Sequence, residues 1–138
     1  MIVGFSGTRK GMTDAQKFAI ASLLEKLASK PPLVAHHGDC IGADTDFHWL
    51  AKEAGYFIIG HPCDLSTRSH CPVDECQKVK RPLVRDRDIV DESEIMLTCP
   101  LGFKEEIRSG TWTTIRYAKK VQRPLVIVYP DGTAERFN

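Results

Sequence analysis

The chain contains a single asparagine, Asn138, so it can carry no N-glycosylation acceptor. Its five cysteines, at positions 40, 63, 71, 76 and 99, include no C-x-x-C pair and leave one over from any pairing scheme. Both features suit a reducing cytoplasm with free thiols better than an oxidised, secreted framework. No apolar run approaches the roughly 20 residues that cross a bilayer. The Met1–Phe5 stretch carries no charged leader and no small-residue cleavage site, so neither a membrane segment nor a signal peptide is expected. An excess of one charge is missing too. Nineteen Lys and Arg stand against eighteen Asp and Glu, which argues against broad adhesion to nucleic acid or anionic membrane. The common nucleotide fingerprints G-x-G-x-x-G and G-x-x-x-x-G-K-[ST] do not occur, and Ser6 lies in no G-x-S-x-G elbow.

What is present is the material of one domain, residues 1–138. Hydrophobic residues make up 42%, enough for a packed core in a chain of this length. Ile2–Phe5 is a β-prone run that stops at Ser6-Gly7-Thr8-Arg9. Thr13, with Gln16 three residues later, is a capping box, and Ile20, Leu23, Leu24 and Leu27 then form one helical face ended by Pro31-Pro32. Leu33–His36 reads as a second strand. Ala43, Phe47, Leu50, Ala51 and Ala54 mark a second helix stopped by Gly55. Tyr56–Ile59 is a third strand, and residues 62–82 read as a long, mobile surface loop. Val84–Val90 reads as a helix, Ile95–Cys99 as a strand, Thr111–Val121 as a helix and Leu125–Tyr129 as a fifth strand. A turn at Asp131-Gly132 follows, leading into an edge strand at Ala134–Phe137. Short strands apolar on both faces, alternating with helices, predict a single Rossmann-like α/β domain. Its sheet is expected to be mainly parallel and five-stranded, in the order 3-2-1-4-5, with helices on both faces.

In such folds ligands bind outside the carboxyl ends of the strands. The residues after each strand are therefore the candidates: Ser6, Gly7, Thr8 and Arg9; Gly38, Asp39, Cys40, Gly42 and Asp44; His61; and Ser109, Gly110, Thr111 and Trp112. Arg85 joins them from an alternating Arg85-Asp86-Arg87-Asp88 helix. Glycines and hydroxyls gathered at one edge let phosphate or ribose approach the backbone. Any one such turn also serves simply to connect a strand to a helix. Arg85 equally suits a solvated face with local ion pairs, and Trp112 equally suits the core. His61, Cys63, His70, Cys71 and Cys76 carry the right atoms for zinc, but their spacings match no finger or knuckle, so no metal or cofactor is expected there.

Four segments, Gly4-Phe5-Ser6-Gly7-Thr8-Arg9, His37-Gly38-Asp39-Cys40-Ile41-Gly42-Ala43-Asp44, Arg85-Asp86-Arg87-Asp88-Ile89-Val90 and Ser109-Gly110-Thr111-Trp112-Thr113-Thr114-Ile115, together resemble the SLOG superfamily. That group includes lonely-guy phosphoribohydrolases, the DNA-processing protein DprA and small YspA-like proteins of bacteria and phages. The resemblance implies a Rossmann-like protein that binds nucleotides or nucleotide-derived ligands, as a homodimer or higher homo-oligomer. Lonely-guy enzymes carry a P-G-G-x-G-T-x-x-E motif. Here Gly110-Thr111 remain, Thr114 stands in place of the glutamate, and Leu101 to Arg108 replace the paired glycines. The resemblance therefore implies a retained phosphate clamp, with Arg85 as its arginine, and a lost general acid.

The leading expectation is a binder of a nucleotide or an ADP-ribose-like molecule, acting as a sensor or as a sequestering sponge in signalling or phage–host conflict. In it Ser6, Thr8, Gly38, Gly110 and Thr111 donate to phosphates, Arg9 and Arg85 add charge, Asp39 or Asp44 holds ribose, and Trp112 stacks on a base. Loss of Arg85 should then weaken a phosphorylated ligand by about ten- to a hundredfold. A hydrolase cleaving an N-glycosidic or phosphate bond, with Asp39, Asp44 or His61 as acid/base groups, is the alternative. Single-stranded DNA binding is a third reading, disfavoured by the balanced charge.

Overall fold

The computed structural model describes residues 1–64 and 66–138. The chain runs β1 (Ile2–Gly7), α1 (Asp14–Leu27), β2 (Val34–His37), α2 (Ala43–Glu53), β3 (Phe57–Gly60), β4 (Glu75–Cys76), α3 (Pro82–Asp91), β5 (Ile95–Cys99), α4 (Gly110–Lys120), β6 (Leu125–Val128) and β7 (Ala134–Phe137). The described strands form one sheet in the order β4-β3-β2-β1-β5-β6-β7, parallel except for the final β6–β7 pair. The expected 3-2-1-4-5 order is its centre, occupied by β3, β2, β1, β5 and β6. The sheet nevertheless has seven strands, not five.

One strand beyond the five is β7, the expected edge strand at Ala134–Phe137, folded back on β6 by the Asp131-Gly132 turn. The other is β4, two residues added in parallel to β3. Two residues cannot display a period, so β4 leaves no mark in the sequence and the segment reads as loop. Its position is set from outside itself, by Asp74, which accepts the Ile58 N–H on its carboxylate (2.7 Å) and donates its own N–H to the Ile58 carbonyl (2.9 Å). Elsewhere in the 62–82 segment, bridges pair Cys63 with Lys80 and Arg68 with Cys40. Residue 65 of that segment lies outside the described residues. The third helix starts earlier than its apolar residues suggest, because Pro82 occupies the first turn, where a missing N–H costs nothing.

Alternation along the strands divides the core in two. Val3, Phe5, Leu97, Cys99, Val126 and Val128 face α1 and α2, where Phe5 stacks on Phe47 at 4.4 Å between ring centroids. Met96, Leu125 and Ile127 face α3 and α4, meeting Ile89, Val90, Trp112 and Ile115. Thr13 caps α1 with the full reciprocal box, and its hydroxyl also donates to the Pro130 carbonyl (2.7 Å). The helix is thus fastened to the turn before β7.

Candidate functional site

β1 and β5 are hydrogen-bonded neighbours, and the chain leaves them in opposite directions across the sheet. A crevice opens at such a point because the following loops diverge. Here it is a cavity of about 590 Å³, bounded by the β1–α1 loop from Ser6 to Lys10, by Gly38, Cys40 and Asp44, by Arg85, Asp86 and Ile89 of α3, and by Leu101, Glu106 and Arg108 to Thr111.

The β1–α1 loop is held at both ends. Thr8 donates its N–H to the Cys99 carbonyl (3.0 Å), and its own carbonyl accepts the Ala43 N–H (2.9 Å). Gly42 makes that second contact feasible. Its φ is +97°, and a Cβ there would fall 2.3 Å from the Arg9 carbonyl oxygen. The Arg9 and Lys10 side chains are exposed, and so is Arg108 across the cavity. None of the three has an ion-pair partner among the described residues.

On the opposite wall Ser109 is the N-cap of α4, its hydroxyl accepting the Trp112 N–H (3.3 Å). The N–H groups of Gly110 and Thr111 have no protein acceptor among the described residues, as expected of a first helical turn. A Cβ added to Gly110 would meet open space, so no protein neighbour demands glycine there.

Arg85 is buried and largely committed within the protein. Its Nη1 donates to the carbonyls of Gly38 (2.7 Å) and His61 (3.1 Å), and its Nε to Asp86 (2.7 Å). Among the described residues its Nη2 meets only the Cys40 sulfur, at 3.7 Å. Gly38 allows this arrangement, since a Cβ on it would lie 2.5 Å from the guanidinium. Asp44, in the first turn of α2, accepts the Cys40 N–H (3.1 Å). Burial pushes its carboxyl up to about 6, against the pull of the nearby Arg85 charge and that hydrogen bond. Burial also drives the Cys40 thiol up to about 11, which keeps it protonated and un-nucleophilic at neutral pH.

Of the residues expected at the site, Ser6, Gly7, Thr8, Arg9, Gly38, Cys40, Asp44, Arg85, Ser109, Gly110 and Thr111 line this one cavity. Asp39, Gly42, His61 and Trp112 do not. Asp39 is buried beneath the Arg68 guanidinium (3.2 Å) and accepts the Cys71 N–H (2.9 Å), so its oxygens are spent on the 62–82 segment. The His61 ring turns the other way, towards His36, and only its carbonyl takes part, through Arg85. Trp112 is 4% exposed and packed between α3 and the sheet, which leaves no ring face for a base. Thr114, at the position of the absent glutamate, is buried and donates to the Gly110 carbonyl (3.1 Å). Lys10, Asp86, Leu101, Glu106 and Arg108 line the cavity although sequence reasoning did not name them for it. Lys10, Asp86 and Arg108 each adjoin a residue that was named, and that adjacency was the available signal.

No protein-family model matches the sequence, and no curated protein matches it. Solved structures do match. One is a molybdenum cofactor binding protein from the phototrophic bacterium Rippkaea orientalis, with 20% identity and a TM-score of 0.69 over 93% of this chain and 76% of that one. A second is the molybdenum cofactor carrier protein from Chlamydomonas reinhardtii, with 23% identity and a TM-score of 0.68 over 91% and 75%. A third is the DNA processing protein DprA from Streptococcus pneumoniae, with 18% identity and a TM-score of 0.68 over 91% of this chain and 49% of that one. The chain shares its fold with these proteins, among them DprA, which belongs to the group that the sequence motifs resemble. At these identities the likeness is one of fold. Among the described residues no helix is long and apolar enough to cross a membrane.

Proposed function

We propose that the cavity binds a phosphorylated, nucleotide-derived small molecule, with its phosphate at the start of α4. One observation carries this reading. Two unpartnered N–H groups at a helix N-terminus share a cavity with three cations, Arg9, Lys10 and Arg108, that form no ion pair among the described residues. Thr8, Ser6 and Thr111 add hydroxyl donors, and the volume accommodates a ligand of nucleotide size. In this reading Arg85 shapes the floor and offers its Nη2 to the ligand, and Asp44 faces a ribose hydroxyl. The protein is a cytoplasmic binder, a sensor or a sequestering sponge for such a ligand, working as a homodimer or higher oligomer. Two similar structures carry molybdenum cofactor in their names, so that molecule belongs in the binding panel.

Calorimetric titration with mono-, di- and cyclic nucleotides, ADP-ribose and molybdenum cofactor tests the proposal. Arg9→Ala is expected to weaken a phosphorylated ligand by about tenfold or more, the worth of one charged hydrogen bond, and to change binding of the dephosphorylated analogue little. Binding of no compound in the panel would refute it.

Asp44 supports a second reading, hydrolysis of an N-glycosidic or phosphate bond. A buried carboxyl with its pKa near 6 sits at the cavity wall, poised to hold or release a proton at neutral pH. Product formation from nucleoside monophosphates or NAD, abolished in Asp44→Asn with binding retained, would favour the enzyme over the sensor.

A further inference from the structure

We propose that His36, His61 and Glu92 form a binding site for a divalent transition-metal ion of the zinc class, on the α3 side of the sheet and separate from the ligand cavity. The three residues come from different elements. His36 lies within β2, His61 directly follows β3, and Glu92 caps the C-terminus of α3. The His36 Nδ1 and the His61 Nε2 face each other at 2.7 Å, and a ring nitrogen of each histidine lies within 4.8 Å of one carboxylate oxygen of Glu92.

Both rings are buried, each about 3% exposed. Between two neutral imidazoles that meet nitrogen to nitrogen there is room for one proton. The other nitrogen of the pair therefore presents a lone pair to the meeting point. The outer ring nitrogens have no hydrogen-bond partner among the described residues, so each ring can carry its proton there and turn an unprotonated nitrogen inwards. A tetrahedral ion with nitrogens at 2.0–2.1 Å holds them about 3.3 Å apart, which asks the rings to separate by roughly 0.6 Å. Glu92 is exposed, its carboxylate makes no ion pair or hydrogen bond among the described residues, and it is free to swing inwards. Two imidazoles and one carboxylate, with a fourth position open on the solvent side, are a borderline-hard donor set suited to zinc. The cations close to His61 are already matched, Lys80 by Asp88 (2.6 Å) and Arg85 by Asp86 (2.7 Å).

A second group, His37, His48 and Cys71, has comparable proximity but the wrong protonation. The Asp39 N–H donates to His37 Nδ1 (2.9 Å), which places the ring proton on Nε2, the atom that faces His48 (3.1 Å). Metal at that nitrogen would require an imidazolate. The two clusters thus make opposite forecasts for their variants.

The test is titration of chelator-treated, full-length protein with Zn²⁺ by calorimetry at pH 7.5, together with the visible spectrum of the Co²⁺ form. One ion per chain is expected, with the absorption of a tetrahedral cobalt site. Glu92→Gln should weaken binding by about tenfold or more, His61→Ala should abolish it, and Cys71→Ser should leave it unchanged. Glu92 is exposed, so its variant reports on the site even if His61→Ala perturbs the fold. Absence of stoichiometric binding, unaltered affinity in Glu92→Gln, or loss in Cys71→Ser would each overturn the assignment. None of these outcomes bears on nucleotide binding in the cavity.

Discussion

Asp44 gives the cavity a proton-dependent stability. Its folded pKa is about 6 against 3.8 for an ordinary aspartate, so the folded protein holds a proton that the unfolded chain has released. Its contribution is most favourable below pH 4 and is lost as pH rises through 6, a cost on the order of 3 kcal/mol above that. Asp44→Asn keeps an acceptor for the Cys40 N–H and removes the charge. It should therefore raise stability at pH 8 and change it little at pH 4, as read by urea denaturation at the two values. Buried histidines act in the opposite sense. His36, His37 and His61 are lowered from 6.5 to about 4, 3 and 4, so the stability they allow is present above pH 6.5 and lost as pH falls through that value towards 4. Three groups outweigh one, and the protein as a whole should lose stability between pH 6.5 and 4 in the same experiment. Two glycines separate scaffold from site. Gly42→Ala drives a methyl into the Arg9 backbone at positive φ and should cost several kcal/mol, about 3 or more. Gly110→Ala enters open space, so its melting temperature should hold while calorimetry shows a loss of phosphorylated ligand.

At the scale of elements, α1 gives the clearest case of local coding. Thr13→Ala removes both the cap and the hydrogen bond to the Pro130 carbonyl, and should cost about 1–2 kcal/mol in chemical denaturation. The capping box, the apolar stripe from Ile20 to Leu27 and the stop at Gly55 after α2 were all legible, because the information sits within a few residues of chain. β4 was not legible. Its two residues become a strand only when Asp74 and β3 supply partners. The start of α4 falls between these cases. Ser109-Gly110-Thr111 reads as a helix start from sequence, but the burial of Trp112 depends on packing against Ile89, Val90 and Met96, elements far away in the chain.

At the scale of the whole molecule, β7 covers one long side of a hydrophobic strand. Leu125, Val126, Ile127 and Val128 are all buried, and β6 pairs with β5 on one edge and β7 on the other. Removal of residues 131–138 would leave that edge unpaired, and the truncated protein should aggregate, seen as light scattering well above that of the intact chain at the same concentration.

Length, composition and period determined the α/β class and which strand ends the glycines and hydroxyls follow. Short-range steric and hydrophobic rules fix these things, and they act within a turn of helix or a strand of chain. Which of the collected residues face the cavity was a tertiary decision. Asp39 and Asp44 stand five residues apart in the same segment. One is consumed by Arg68 and the Cys71 backbone, while the other is left buried at the cavity wall. Arg85 looked like a free phosphate ligand until the Gly38 and His61 carbonyls claimed its Nη1. The pairing of His36 with His61 across 25 residues carries no spacing signature, because β2 and β3 set the distance between them and the intervening chain does not. Hydrogen-bond capacity is finite, and only the folded chain shows where each donor and acceptor has been spent.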